Sequence, residues 1–103
     1  MVVMWNYNFY LYITTNPVKT VLYIGVTNNL IRRLAEHTEN KGDPKSFAGR
    51  YYCHNLVYYE HFSDICYAIA REKELKKWSR AKKEALISSV NPDWTFLNEV
   101  DGE

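Results

Sequence analysis

The sequence predicts an α+β domain in which helices flank a small, mostly antiparallel sheet of three strands. Two patterns support this fold class. Aromatic and β-branched residues alternate with polar ones in three segments, which predicts strands at residues 8–15, 20–26 and 55–62. Apolar residues recur at helical spacing in three others, which predicts helices at residues 29–40, 64–78 and 80–90. The predicted order of elements is ββαβαα.

The first two strands are predicted to form a hairpin, because Asn16-Pro17 between them is a turn signal. Thr27 or Asn28 can cap the first helix, and Gly42-Asp43-Pro44 ends it. The buried stripe of this helix is predicted to consist of Leu30, Ile31, Leu34, Ala35 and Thr38.

The second half of the chain is predicted to start with a polar, basic loop over residues 41–50, which leads to the third strand. Ser63 or Asp64 can cap the second helix, and Ser79 can cap the third. The segment Asn91-Pro92-Asp93-Trp94 then follows the last helix and completes the fold.

Length and composition indicate one globular domain. The chain has 103 residues, of which 47% are hydrophobic and 24% charged. No apolar run approaches the roughly 20 residues that a membrane span needs, and the N-terminus lacks the pattern of a secretory signal. Cys53 and Cys66 are therefore expected to be reduced thiols in a cytosolic protein.

The charge is unevenly distributed, although the net charge is only +1. Residues 71–84 hold seven basic against three acidic side chains, whereas the last eleven residues hold four acidic side chains and no basic one. A basic face that meets a polyanion is one interpretation. A solvated helix with a mixed surface is the other.

Arg33 and His37 stand one helical turn apart at the edge of the predicted buried stripe. A guanidinium group at such an edge can lie over apolar side chains and direct its planar fork at a phosphate. The alternatives are an arginine that extends along the surface and a half-buried histidine bonded to the backbone.

Glu72 falls inside the apolar face predicted for the second helix by Ile65, Ala68, Ile69 and Leu75. Burial of a lone carboxylate is costly, so the group must be paired, hydrogen-bonded or bound to a metal. One alternative is a salt bridge to Arg33 or Lys76. The other is a ligand for a hard divalent cation such as Mg²⁺ or Mn²⁺.

Four elements follow one another at defined spacing. They are Tyr10-Leu11-Tyr12, Tyr23-Ile24-Gly25 eleven residues after Tyr12, Arg33 ten residues beyond Tyr23, and the helical Glu72. This set resembles the GIY-YIG nuclease superfamily, and most of all its small single-domain bacterial branch. The similarity extends from Phe9 to Trp94, and implies a GIY-YIG-like fold and one endonuclease domain over residues 1–103.

The resemblance implies catalytic roles for five residues. Tyr23 corresponds to the tyrosine that helps to activate the attacking water, and Tyr12 to the other active-site tyrosine. Arg33 corresponds to the arginine that stabilises charge on the phosphate. Glu72 corresponds to the single carboxylate that holds the divalent cation, Mg²⁺ or Mn²⁺. His37 lies where many members have a histidine one turn after the arginine.

The resemblance also implies DNA as the substrate. Many relatives carry a separate DNA-reading domain, for which this chain has no room, so basic side chains of the module itself are expected to bind phosphates. These are Lys41, Lys45, Arg50, Lys76, Lys77, Arg80, Lys82 and Lys83. Such contacts do not read sequence. We therefore expect a preference for branched or single-stranded DNA, or specificity supplied by a protein partner.

The chain departs from the family pattern at three places. Its first signature reads Tyr-Leu-Tyr in place of Gly-Ile-Tyr, Val26 stands where some members have a lysine, and Thr95 stands where several have a functional asparagine. The last two departures favour a second hypothesis, a nucleic-acid-binding module without turnover. A third hypothesis is a protein-interaction adaptor with aromatic anchors at Trp5, Trp78 and Trp94.

Overall fold

The computed structural model describes residues 7–98, and its sheet has three antiparallel strands. The strands are β1 (Phe9–Thr15), β2 (Leu22–Thr27) and β3 (Asn55–Phe62), in the spatial order β2-β1-β3. The predicted α+β class and three-stranded sheet are confirmed. Trp5 and the acidic residues Glu99, Asp101 and Glu103 lie outside the described residues.

Four helices accompany the sheet in the described part of the chain. They are α1 (Leu30–Glu39), α2 (Phe47–Arg50), α3 (Ile65–Lys76) and α4 (Arg80–Val90). Each begins after a side chain that accepts a backbone N–H of the first turn, as expected of an N-cap. These caps are Asn29, Ser46, Asp64 and Ser79. None of the helices in residues 7–98 is long and apolar enough to cross a membrane.

The element α2 corrects the predicted loop at residues 41–50, so the order of elements is ββααβαα. The cap of α1 is likewise Asn29, whereas Thr27 and Asn28 were the expected candidates. The Thr27 hydroxyl instead accepts the backbone N–H of Asn29, which positions the residue that caps the helix.

The sheet separates two small apolar clusters, because successive side chains of a strand point to opposite faces. Leu11 and Ile13 face the layer of α3 and α4, where they pack with Leu75 and Ile87. Tyr12 faces the other way and packs with three leucines from α1 and β3, namely Leu30, Leu34 and Leu56. Each helical layer therefore has its own core.

The buried stripe of α1 is narrower than predicted. Leu30, Leu34 and His37 are buried, whereas Ile31, Ala35 and Thr38 are exposed. The buried residues are spaced four and three apart, so they lie on one side of the helix. The sheet covers only that side. His37 thus occupies a core position.

The apolar face of α3 is also smaller than predicted, because Ile65 and Ile69 are exposed. The contacts of this helix with the core run through Ala68 and Leu75, which are fully buried. Glu72 lies at the border of the buried surface, with 22% of its side chain exposed.

Candidate active site

Tyr12 lies in the middle strand, opposite Gly25 of β2. Its side chain is almost completely buried, with 1% exposed. A Cβ atom at Gly25 would stand 2.5 Å from the Tyr12 hydroxyl and 2.6 Å from the ring carbon that carries it. The glycine therefore leaves the space in which the end of the tyrosine side chain rests.

The hydroxyl of Tyr12 is held by two side chains of α1. Arg33 Nε donates to it at 3.2 Å, and His37 Nε2 lies 2.9 Å from it. Because a guanidinium group can only donate, the phenolic proton is free to point at the histidine. A neutral imidazole whose proton is on Nδ1 accepts that bond. Arg33 and His37, which lie one turn apart on α1, thereby fix the position of the Tyr12 hydroxyl and the direction of its proton.

The protonation states of this trio follow from burial and mutual contact. Burial raises the pKa of Tyr12 to about 12, although the hydrogen bond from Arg33 opposes the shift. Burial and the charge of Arg33 lower the pKa of His37 to about 4. The bond to Tyr12 raises the pKa of Arg33 above its ordinary value. At neutral pH the group is a phenol, a neutral imidazole and a guanidinium cation.

Arg33 is half exposed, so its charge reaches the surface. Its Nη1 donates to Glu36 at 2.9 Å, and its Nε is used by Tyr12. Within residues 7–98, Nη2 has no hydrogen-bond partner. Arg33 therefore lies at the edge of the buried stripe of α1, as predicted, and its Nη2 can donate to an anionic ligand.

Tyr23 lies beside this trio on the neighbouring strand. Its ring centroid is 6.2 Å from that of Tyr12 and 5.4 Å from that of His37. Tyr23 is only partly buried, whereas Tyr12 is closed off from solvent. Four of the five predicted catalytic residues are thus brought together, and Tyr23 is the tyrosine that a solvent molecule can reach.

Two further aromatic residues, which the sequence did not single out, continue a row of rings from Tyr23. Phe47 stacks on Tyr23 with centroids 6.1 Å apart and an angle of 26° between the rings. Tyr51 follows at 4.8 Å from Phe47. The signal was present as an aromatic pair at i, i+4 spacing directly after the capping residue Ser46.

Glu72 is not joined to these residues by any hydrogen bond or ion pair in the described part of the chain. Its partner is Lys76, whose ammonium nitrogen lies 3.0 Å from the carboxylate. A salt bridge to Arg33 or Lys76 was one of the two interpretations of Glu72, and the structure forms the bridge to Lys76. The core contacts of α3 lie on the face of the sheet opposite to Tyr12.

The donor chemistry of Glu72 fits a hydrated hard cation. Residues 7–98 contain no group of three or more histidine, cysteine or acidic side chains that could enclose a metal. A single partly exposed carboxylate suits Mg²⁺ or Mn²⁺, because such ions keep several water ligands and take further oxygens from a substrate phosphate.

The predicted DNA-binding residues fall into two groups. Several are engaged within the protein: Lys76 with Glu72, Arg80 with Glu84 and the backbone of residues 19–20, Lys82 over the ring of Trp78, and Arg50 over that of Tyr51. The side-chain ammonium groups of the others have no hydrogen bond or ion pair to residues 7–98; these residues are Lys41, Lys45, Lys77 and Lys83.

The C-terminal asparagines serve as structural ties. Asn91 donates to the carbonyl of Val57 at 2.9 Å and accepts the backbone N–H of Thr95 at 3.0 Å. Asn98 accepts the N–H of Leu56 at 2.8 Å and donates to the carbonyl of His54. Both amides therefore hold the segment that follows α4 against β3.

Comparison with known proteins shows which family the chain resembles. The sequence model of the GIY-YIG catalytic domain matches residues 8–85. A UPF0213 protein of Natronomonas pharaonis is 42% identical over 79 residues, which are 77% of this chain and 89% of that protein. A UPF0213 protein of Syntrophus aciditrophicus is 38% identical over 84 residues, which are 82% and 93% of the two chains.

A solved structure agrees with the sequence comparisons. The solution NMR structure of a UPF0213 protein from Bacillus halodurans has a TM-score of 0.53 and 32% identity. The match covers 84% of this chain and 89% of that one. Because the family model covers most of the chain and the relatives are matched over most of their length, the chain belongs to the GIY-YIG catalytic-domain family, which implies an endonuclease-type function.

Proposed function

We propose that the protein is a divalent-metal-dependent endonuclease that hydrolyses phosphodiester bonds in DNA and selects its substrate by structure. One observation supports this above the others. The hydroxyl of Tyr12 lies between a guanidinium donor and a neutral histidine, with a second, partly exposed tyrosine beside it. Hydrolysis of a phosphodiester needs those components: positive charge for the phosphate oxygens, an oriented water and a proton acceptor.

Arg33 is the residue that stabilises the phosphate in this proposal. It is cationic at every working pH, it is half exposed, and Nη2 is available to an anionic oxygen. Charge on the non-bridging oxygens rises as the attacking water adds to phosphorus, so a donor fixed beforehand stabilises the transition state more than the bound substrate.

Tyr23 and Tyr12 have different roles because their exposure differs. Tyr23 is accessible to a substrate water and orients it. Tyr12 is buried, and its raised pKa makes it a poor base. We assign Tyr12 to positioning Tyr23 and Arg33 and to passing a hydrogen bond inwards to His37.

His37 becomes a better proton acceptor when substrate binds. Burial is the largest cause of the low pKa of His37 in the free protein, and the charge of Arg33 lowers the pKa further. A phosphate at Arg33 offsets that charge, and so raises the pKa of His37 towards the range in which it can accept a proton. In the overall reaction the water oxygen forms a bond to phosphorus, one ester bond breaks, and the leaving oxygen takes up a proton.

Glu72 is the residue that would hold the divalent cation, Mg²⁺ or Mn²⁺. When bound, such an ion supplies positive charge to the phosphate and lowers the pKa of coordinated water. The carboxylate must exchange Lys76 for the cation. That pair has an exposed lysine and contributes little to stability, so the exchange is inexpensive.

The proposal is tested by incubation with branched, single-stranded and fully paired DNA in Mg²⁺ or Mn²⁺. We expect cleavage by the wild-type protein and none by Glu72→Ala. Glu74→Ala is the matched control, because it removes a carboxylate two residues away on the same helix. Glu74 pairs with Arg71, and Arg71 keeps its ion pair with Glu60 when Glu74 is removed. Binding without cleavage by the wild-type protein, across metals and substrates, would contradict the proposal.

A nucleic-acid-binding module without turnover is the second candidate. It is favoured by the ion pair of Glu72 with Lys76, together with Val26 and Thr95 at positions where other members have functional side chains. The adaptor hypothesis has less support, because Trp78 and Trp94 pack against the core cluster of the sheet. The same cleavage assay separates the first two candidates.

A further inference from the structure

The row of rings that continues from Tyr23 ends in two exposed aromatic side chains. Phe47 is 51% exposed and Tyr51 is 42% exposed, although each contacts a neighbouring ring. An apolar ring that is held by its neighbours yet leaves half of its surface in water offers that surface to a ligand. The row is contiguous with a residue of the candidate active site.

The backbone that carries these rings is held tightly. The N–H of Gly42 donates to the carbonyl of Gly49 at 2.7 Å, and the N–H of Cys53 donates to that of Ala48 at 2.7 Å. Ala48 and Cys53 are buried, and a Cβ atom at Gly49 would collide with the carbonyl oxygen of Asn40. The backbone that carries the rings is thus fixed before a ligand arrives, which reduces the entropic cost of binding.

The surroundings of the rings are basic. Residues 41–51 contain Lys41, Lys45 and Arg50 against a single acidic residue, Asp43. The guanidinium of Arg50 lies 5.7 Å from the centre of the Tyr51 ring. Aromatic faces interleaved with cations are the composition that binds single-stranded nucleic acid, whose bases stack on the rings while the phosphates meet the charges.

We propose that Phe47 and Tyr51 form a stacking site for one unpaired nucleobase next to the phosphate that is cleaved. The site rests on the proposed function, since it defines the substrate as DNA with an unpaired base at that position. A base in a duplex is already stacked and must be pulled out at a cost of a few kcal/mol, so paired DNA cannot use the site readily. In this proposal Arg50 contacts the DNA phosphate next to the stacked base.

The test measures binding in EDTA, so that cleavage plays no part. A single-stranded oligonucleotide containing 2-aminopurine is compared with the matching duplex, by quenching of the base and by fluorescence anisotropy. We expect Phe47→Ala and Tyr51→Ala each to weaken single-strand binding about five- to hundredfold and to leave duplex binding within about twofold. Phe47→Trp is expected to keep binding and quenching, because it preserves the ring.

Tyr67→Ala is the matched control, because Tyr67 is an aromatic residue on α3 that is 68% exposed. It should change neither affinity. Equal losses on both substrates, no loss in either ring variant, or no single-strand binding by the wild-type protein would overturn the stacking site. Those outcomes are distinct from failure of the nuclease proposal, which is the absence of cleavage whatever the binding.

Discussion

Arg33 connects the surface of the protein to a buried hydroxyl. Its side chain keeps one donor for a ligand while another donor holds Tyr12, and the same charge lowers the pKa of His37. A ligand that attracts the guanidinium therefore alters the buried pair at the same time. In the proposed reaction, a phosphate bound at Arg33 acts on the buried pair through this residue.

Arg33→Ala is expected to lower the rate of cleavage by about a hundredfold or more, since it removes a donor that acts mainly in the transition state. Binding of DNA should be largely retained. Arg32→Ala is the control, because Arg32 lies next in sequence and is exposed on the same helix. Single-turnover cleavage and anisotropy measure the two properties separately. A parallel loss of binding and cleavage would contradict the role.

His37 predicts a pH dependence of stability. Its pKa is lowered from 6.5 to about 4 in the folded protein. Between these values the unfolded chain binds a proton at this residue and the folded chain does not. The free energy of unfolding therefore falls as the pH is lowered from 6.5 towards 4, by at most about 3 kcal/mol.

The measurement is denaturant unfolding of wild type and His37→Gln between pH 4.5 and pH 7. The other titrating groups are common to both proteins, so the difference between the curves isolates His37. We expect the variant to lose less stability on acidification. Curves that stay parallel over the whole range would show that His37 titrates normally.

At the scale of elements, the position of the Tyr12 side chain where β1 pairs with β2 depends on the absence of a side chain at Gly25. We expect Gly25→Ala to displace the Tyr12 ring, to reduce stability by about 1–3 kcal/mol and to abolish cleavage. In a Tyr12→Leu background the ring carbon and hydroxyl that the new methyl group would meet are gone. The cost of Gly25→Ala should then be smaller, as unfolding of the four proteins of this double-mutant cycle can show.

The elements differ in how far the sequence predicts them. Alternation and caps are local signals, so β3 and α4 are predicted with the bounds they have. The element α2 was not predicted, because Gly42, Pro44 and Gly49 are typical of a loop and a helix of four residues is too short to show a helical pattern of apolar residues. The five predicted catalytic positions rest on the resemblance to the family in residue type and spacing, but the bond between Tyr12 and His37 depends on how α1 lies across the sheet.

At the scale of the molecule, the sheet separates the predicted phosphate-binding residues into two sets. Lys41, Lys45 and Arg50 precede or lie in α2, which contacts α1 on the Tyr12 face. The remaining basic residues are carried by α3 and α4, whose core contacts lie on the Leu11 face, or by the turn between those two helices. If the proposed function is correct, we expect DNA whose phosphate reaches Arg33 to meet the first set.

We therefore expect the Lys41→Ala/Lys45→Ala double variant to bind single-stranded DNA more weakly than Lys77→Ala/Lys83→Ala, although each removes two positive charges. Each lost phosphate contact lowers the slope of log affinity against log salt by about 0.7 for a single strand. Titrations between low and moderate salt should give a slope reduced by about 1.4 for the first variant and little changed for the second. Equal slopes for the two variants would show that binding responds to net charge alone, because local contacts on the Tyr12 face cannot produce equality.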